Sequence, residues 1–120
     1  MFFGRQVTWY LLFSSEKKAI ESLPLDKAIA IQVDGRDLVI ARHSEGYFVT
    51  DEKCPHQGLP LSRGGFCEHG NLVCPFHRYS WEMKTGRESR CNEANMVVYP
   101  VKKDETGFYV GIERRKSWFS

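Results

Sequence analysis

A chain of 120 residues is long enough to bury the core of one domain, so we expect residues 1–120 to form a single domain. The hydrophobic content of 42% and the charged content of 27% are ordinary for a globular protein. The net charge of +2 is too small to favour nucleic acid or an anionic membrane surface. No apolar run approaches the ~20 residues of a membrane helix, and the aromatic N-terminus lacks the pattern of a signal peptide, so we expect a cytoplasmic protein.

The first third of the chain alternates strand signals with turn signals. β-branched and aromatic residues predict a strand over 7–13, and a serine just after it, Ser14 or Ser15, is placed to cap a short helical turn. Residues 28–33 and 37–41 predict two strands joined by an Asp-Gly turn, the strongest hairpin signal in the chain. This part of the sequence therefore predicts a strand, a helical turn and a β-hairpin.

The rest of the chain continues as short strands around one long irregular segment. Residues 51–70 are rich in glycine and proline and predict a loop. Strands are predicted on both sides of it, at 47–50, 72–73, 79–83, 96–101 and 108–112. Many short strands separated by turn signals are typical of a sandwich or barrel, so we expect an all-β fold. Residues 51–87 are predicted to be an inserted subdomain that does not fold independently.

Two short motifs carry most of the chemical information. Cys54-Pro55-His56 and Cys74-Pro75-Phe76-His77 each offer one thiolate and one imidazole, and together they supply four metal ligands. These donor types favour an iron–sulfur cluster or zinc over calcium or magnesium. A zinc finger usually takes a cysteine pair from a hairpin and a histidine pair from a helix. The mixed pattern here favours a [2Fe–2S] cluster, with both thiolates on one iron and both imidazoles on the other.

On these motifs the sequence resembles the Rieske iron–sulfur family. The similarity runs from about Trp9 to about Ile112 and is most specific where CPHQGLPLSRG and LVCPFHRYSWEMKTGR resemble the two cluster-binding loops of the family. The resemblance implies an antiparallel Rieske-type β-sandwich with an inserted cluster-binding subdomain at about 51–87. It implies one [2Fe–2S] cluster per chain, bound by Cys54, His56, Cys74 and His77.

The two loops also indicate a branch of the family. High-potential members have a disulfide between the loops, at positions that are Leu59 and Phe76 here, and a Ser and a Tyr where this chain has Tyr79 and Trp81. The chain therefore resembles the low-potential, ferredoxin-type members, at the lower end of roughly −150 to +300 mV. The family usually has glycine directly after the last histidine ligand, where this chain has Arg78, and we expect that charge to attract an acidic partner.

Two cysteines and two histidines lie outside the motifs. Cys67 and Cys91 are predicted to be free buried thiols, because the cytosol keeps thiols reduced. His43 and His69 are predicted to be ordinary surface residues.

The resemblance implies a ferredoxin that carries single electrons from a reductase to an acceptor, and the acceptor that it implies is a Rieske-type oxygenase. Such a carrier is not itself an enzyme, and the chain has no room for a separate mononuclear iron domain. Its docking patch is expected around Leu59, Phe76, Arg78 and Tyr79. Alternatives are a small subunit of a nitrite-reductase-type complex, a redox-sensing module, and a zinc-stapled interaction domain.

Overall fold

The computed structural model describes residues 5–43, 46–55, 58–75, 78–90 and 94–115, with the side chains at 5, 6, 114 and 115 left aside. Within these ranges the chain forms ten strands and one helix. In chain order they are β1 (Arg5–Phe13), α1 (Glu16–Ser22), β2 (Ala28–Val33), β3 (Arg36–His43), β4 (Gly46–Asp51), β5 (Phe66–Glu68), β6 (Asn71–Val73), β7 (Ser80–Glu82), β8 (Val98–Tyr99), β9 (Val101–Asp104) and β10 (Gly107–Arg115). No helix in the described ranges is long and apolar enough to span a bilayer.

The strands form three antiparallel sheets, which confirms the predicted all-β class. Their strand orders are β1-β10-β9, β2-β3-β4-β8 and β5-β6-β7. Apolar residues of the first two sheets share one buried core with Leu23, which follows α1; its fully buried members include Ile40, Val49, Val110 and Ile112. The third, smaller sheet belongs to the segment that the sequence predicted as an inserted subdomain.

The helix α1 begins where a serine cap allows it. Ser15 has extended backbone angles, and its hydroxyl accepts a hydrogen bond from the Lys18 N–H at 3.2 Å. Ser15 is therefore the cap, and not Ser14. Ala19 is fully buried, so this short helix is held to the sheets by one small apolar side chain and by Leu23.

Two predictions of secondary structure were wrong, and each has a physical cause. The predicted strand over 96–101 is two short strands, β8 and β9, in different sheets. Pro100 lies between them, and a proline cannot donate a hydrogen bond to continue a sheet ladder. The segment 51–70 was predicted as loop throughout, yet it contains β5, whose three residues are too few to show a periodic pattern.

A junction at Asp26 ties the small sheet to the larger ones. Asp26 has a positive φ of 63°, and its N–H donates to the Arg42 carbonyl at 2.7 Å while its own carbonyl accepts from the Cys67 N–H at 2.9 Å. The Asp26 carboxylate contacts Nδ1 of His43 at 2.5 Å, and the Gly70 N–H donates to Nε2 of His43 at 3.3 Å. His43 is therefore not the ordinary surface residue that the sequence predicted, since its side chain is only 17% exposed and bridges β3 to the β5–β6 turn.

Candidate metal centre

The two predicted sulfur ligands lie in one buried cluster. Cys54 follows β4 and Cys74 follows β6, and each is only 2% exposed. Both belong to the same core as Leu61, Leu72 and Trp81. Two cysteines that are 20 positions apart in the sequence are thus buried in one core, in surroundings from which water is excluded.

The loops that follow these cysteines share two backbone features. The Cys54 N–H donates to the Leu59 carbonyl, and the Cys74 N–H donates to the Tyr79 carbonyl, each at 2.8 Å. In both loops the residue four positions after the cysteine has a positive φ, which is 71° at Gly58 and 54° at Arg78. Both loops also place proline directly after the cysteine, where it fixes φ.

The positive φ explains the glycine of the first loop. A Cβ atom at Gly58 would meet no atom within 4 Å, so the backbone angle and not crowding favours glycine there. The second loop adopts the same angle with Arg78, which an L-residue with a side chain does at a cost of about 1–2 kcal/mol. The Arg78 side chain extends over the ring of Phe66, with 5.8 Å from its guanidinium carbon to the ring centroid. It lies 3.7 Å from a carboxylate oxygen of Glu68, so Arg78 connects the second loop to β5.

The first loop is supported by residues close to it in sequence. The Leu61 N–H donates to the Glu52 carbonyl at 2.8 Å. The Glu52 carboxylate accepts hydrogen bonds from the Ser62 N–H at 3.2 Å and from the Ser62 hydroxyl at 2.6 Å. These bonds close the segment from Glu52 to Ser62 on itself, around the fully buried Leu61.

The second loop is supported by the sheet. Its two ends continue into β6 and β7, which are paired directly at Val73 and Ser80. Behind them Trp81 is 1% exposed, and its indole N–H donates to the Ala94 carbonyl at 2.9 Å. That N–H is therefore engaged within the protein, where it ties the strand after the second loop to the segment at Ala94.

Of the four predicted ligands, Cys54 and Cys74 lie within the described residues. His56 and His77 lie outside the described residues, as do Phe76 and Cys91. Cys54 and Cys74 fit a [2Fe–2S] cluster by their donor chemistry, because two buried thiols on matched loops supply the soft ligands that one iron requires. Cys67 is a free buried thiol, as predicted.

A second group of potential ligands, missed in the sequence, lies at the Asp26 junction. One donor atom from each of Asp26, His43 and Cys67 lies within 4.8 Å of the other two. The hydrogen bond from Gly70 to Nε2 of His43 assigns the ring proton to Nδ1, which donates it to Asp26. Burial, and then the nearby Asp26 charge, raise the pKa of Cys67 to about 12, so this thiol keeps its proton. The group is therefore a hydrogen-bonded junction, and no local pattern in the sequence marks it.

Two cysteine loops with the same closing hydrogen bond thus lie against a core that they share with a small antiparallel sheet. The sequence model of the Rieske [2Fe-2S] domain family matches residues 9–103, and the chain belongs to that family. Membership implies a [2Fe–2S] cluster as the metal group of the domain.

Three similar proteins represent the range of relatives. Cholesterol 7-desaturase of Caenorhabditis elegans is 33% identical over 112 residues, which cover 85% of this chain and 25% of that protein. The ferredoxin component of the naphthalene 1,2-dioxygenase system of Pseudomonas aeruginosa is 29% identical over 86 residues, covering 70% of this chain and 81% of that protein. The solved ferredoxin of carbazole 1,9a-dioxygenase from Nocardioides aromaticivorans IC177 has a TM-score of 0.69 at 20% identity, over 86% of this chain and 96% of that one.

These similarities differ in how much of each relative they include. The chain spans a quarter or less of the length of the first curated relatives that it matches, which are a monooxygenase, two desaturases and an oxygenase. It spans most of the length of the ferredoxin components. The structural similarity to the carbazole 1,9a-dioxygenase ferredoxin shows a shared fold.

Proposed function

We propose that this chain is a Rieske-type ferredoxin that carries single electrons from a reductase to an acceptor. The observation that carries the proposal is the pair of matched loops that bury Cys54 and Cys74 in one core. Four cluster ligands are proposed, one thiolate and one imidazole from each loop: Cys54, His56, Cys74 and His77. Family membership and the ferredoxin-component relatives support it. The chain is proposed to have no catalytic residues of its own.

The described residues suit a carrier in three respects. The backbone hydrogen bonds from Cys54 to Leu59 and from Cys74 to Tyr79 fix both loops before any electron arrives, which keeps structural rearrangement small. The burial of both thiols keeps water from them. The hydrogen bond from the Trp81 indole N–H to the Ala94 carbonyl holds the strand that follows the second loop. When bound, the cluster supplies a centre that accepts and releases one electron.

The proposed acceptor is a Rieske-type oxygenase. The ferredoxin components of dioxygenase and monooxygenase systems are among the similar proteins, and their names describe carriers within such systems. A transient electron-transfer partner needs only a small interface, below about 1,200 Å². Docking at the two loops therefore requires no large apolar face.

Two further features belong to the same proposal. Residues 1–120 are proposed to be one Rieske domain with its cluster-binding part at about 51–87, and to hold one cluster. The proposed compartment is the cytoplasm, where a free thiol such as Cys67 stays reduced.

The proposal is tested by EPR on anaerobically purified protein reduced with dithionite, with iron and sulfide measured on the same sample. Two irons, two sulfides and the low average g value of a histidine-ligated [2Fe–2S] centre are expected. Repeated reduction by a flavin reductase and reoxidation by an oxygenase would then establish that the protein carries electrons between them. A colourless sample with one zinc and no sulfide would contradict the proposal.

A second candidate function is that of a Rieske domain working inside a longer oxygenase. It is favoured by sequence identity, which is 33–36% to the longer relatives and 23–29% to the ferredoxin components. The two functions differ in the length of the polypeptide that cells make. An immunoblot of source cells showing a protein of about 13.9 kDa supports the free carrier, and a band several times larger supports the oxygenase.

A further inference from the structure

Two solvent-exposed arginines lie at the second loop. Arg78 lies on the loop itself, and its side chain is 65% exposed. Arg90 is also exposed, and its guanidinium carbon lies 5.5 Å from the centroid of the Tyr79 ring. Tyr79 is the residue whose carbonyl closes the second loop by accepting from Cys74. Both arginines are therefore close to the residue that ends the loop, since Arg78 precedes Tyr79 in sequence and Arg90 lies over its ring.

Aromatic rings orient both side chains. Arg78 lies over Phe66 and Arg90 lies over Tyr79, and such cation–π contacts favour one direction of a long side chain while leaving its N–H donors available. Glu68 is the described carboxylate beside Arg78, at 3.7 Å with both partners largely exposed. An exposed pair of this kind is weak and exchanges partners easily.

Two other described carboxylates near the loops, those of Glu52 and Glu88, accept hydrogen bonds from within the protein. Glu88 is 1% exposed and accepts a hydrogen bond from the Arg90 N–H at 3.0 Å. Glu52 accepts two hydrogen bonds from Ser62. The first loop, from Cys54 to Leu59, contains no arginine, lysine or carboxylate. The second loop, from Cys74 to Tyr79, contains Arg78, so the fixed charge within the two loops is positive and lies on the second one.

We propose that Arg78 and Arg90 form a docking site for a redox partner that presents carboxylates to the second loop. This inference rests on the proposed carrier function and adds the chemistry of the partner and the loop it approaches. Arginine suits the role because its planar fork binds a carboxylate through two parallel hydrogen bonds. The steric cost of a side chain at the positive φ of Arg78 is then offset by a function of that side chain.

The test uses cluster-loaded protein and fluorescein-labelled hexaglutamate, whose binding is followed by fluorescence anisotropy at low ionic strength. The variant is the double substitution Arg78→Gln and Arg90→Gln, and Arg78→Lys with Arg90→Lys keeps the charge. The matched control is Lys102→Gln with Lys103→Gln on β9, because those cations also lie over aromatic rings but on another sheet.

Wild-type protein is expected to bind the peptide, and the arginine-to-glutamine variant to bind about three- to tenfold more weakly. The variant with lysine at both positions is expected to lose less affinity for the peptide, and the β9 control is expected to bind it as tightly as wild type does. Absence of binding by wild type, equal binding by the glutamine variant, or a loss confined to the β9 control would overturn the proposal.

A second readout uses small oxidants of opposite charge. One electron passes from the dithionite-reduced protein to ferricyanide, which becomes ferrocyanide, or to the cationic cobalt(III) tris-phenanthroline, which becomes cobalt(II). Stopped-flow rates are expected to fall for the anion and to rise for the cation in the glutamine variant, and an unchanged ratio of rates would refute the docking site. The EPR spectrum is recorded first, so that absence of the cluster, which contradicts the carrier function, is distinguished from failure of the docking site.

Discussion

The two cysteine loops have the same closure and different support. Both are closed by the same backbone hydrogen bond at 2.8 Å, and both use a positive φ four residues after the cysteine. The first loop takes that angle with Gly58 and is braced by its own neighbours in sequence. The second takes it with Arg78 and is held by β6, by β7 and by the buried Trp81.

This difference shows how one backbone shape is obtained in two ways. A glycine adopts the left-handed region at little cost, so few contacts beyond the loop are needed. An arginine adopts it only where surrounding structure fixes the backbone. The second loop has that surrounding structure, since strands continue from both of its ends. The backbone conformation of the first loop is therefore determined by residues close to it in sequence, and that of the second loop by the sheet.

The largest expected effect comes from removing either thiol. Cys54→Ser and Cys74→Ser are each expected to abolish cluster binding, because each loop is proposed to supply one thiolate and a hydroxyl is a poor ligand for iron in such a cluster. Iron and sulfide per chain and the visible absorption spectrum measure the loss.

Cys67→Ser is the matched control for both variants. Cys67 is also a buried cysteine of the same core, at 6% exposure, but it lies on β5 and outside both loops. It is expected to keep full iron and sulfide. A variant of Cys54 or Cys74 that retained two irons would show that its loop does not bind the cluster.

Trp81→Phe tests the support of the second loop. The change removes the donor of the 2.9 Å hydrogen bond and leaves the Ala94 carbonyl without it, so we expect a loss of about 1–3 kcal/mol in unfolding free energy. The reduction potential is expected to stay at its wild-type value, because the indole N–H is not directed at a sulfur.

Denaturant titration and potentiometry of the same sample measure the two quantities. Trp9→Phe is the control, since Trp9 is 37% exposed and lies on β1. A lowered potential in Trp81→Phe, with stability unchanged, would mean that the indole donates to the cluster after all.

Substitutions at the two positive-φ positions, Gly58 and Arg78, are expected to change stability in opposite directions. Gly58→Ala is expected to lower stability by about 1 kcal/mol, through backbone strain alone because a Cβ meets nothing within 4 Å. Arg78→Gly is expected to be more stable than Arg78→Ala by about 1 kcal/mol, since both variants lose the same side chain and differ only in the β-carbon. Equal stability of the two Arg78 variants would show that the second loop carries no strain.

Sequence reasoning predicted the elements whose determinants are local. The hairpin at Asp34-Gly35, the cap of α1 and the all-β class all follow from patterns within a few residues. The two cysteines were found because each motif is compact. The break at Pro100 was missed because strand-forming residues lie on both sides of the proline, and the sheet assignment shows that β8 and β9 belong to different sheets.

The junction at Asp26 was beyond sequence reasoning for a different reason. Its backbone and carboxylate contact Arg42, His43 and Cys67, which are far along the chain, and no spacing rule connects them. His43 was therefore predicted as a surface residue. The equivalence of Gly58 and Arg78 was also hidden, because one residue type fits a positive φ and the other does not.

The last expected effect concerns the stability of the protein at alkaline pH. Burial and the neighbouring Asp26 raise the pKa of Cys67 from 9.0 to about 12, on the sheet that carries the second loop. Burial and the hydrogen bond to Asp51 raise the pKa of Tyr99 from 10.0 to about 12, beside the strand that leads to the first loop. In both cases the folded state holds its proton more tightly than the unfolded chain.

The sign of the pH effect follows from that difference. Below pH 9 both groups are protonated in both states, and their contribution to stability is complete. Between pH 9 and 12 the unfolded chain loses these protons first, so stability falls as the pH rises. Melting temperatures of cluster-loaded protein are expected to fall less steeply over this range in Cys67→Ser and in Tyr99→Phe than in wild type. The difference in melting temperature between each variant and wild type at pH 7 serves as the reference. If the melting temperatures of all three proteins fell in parallel from pH 9 to 12, neither group would lose its proton on unfolding.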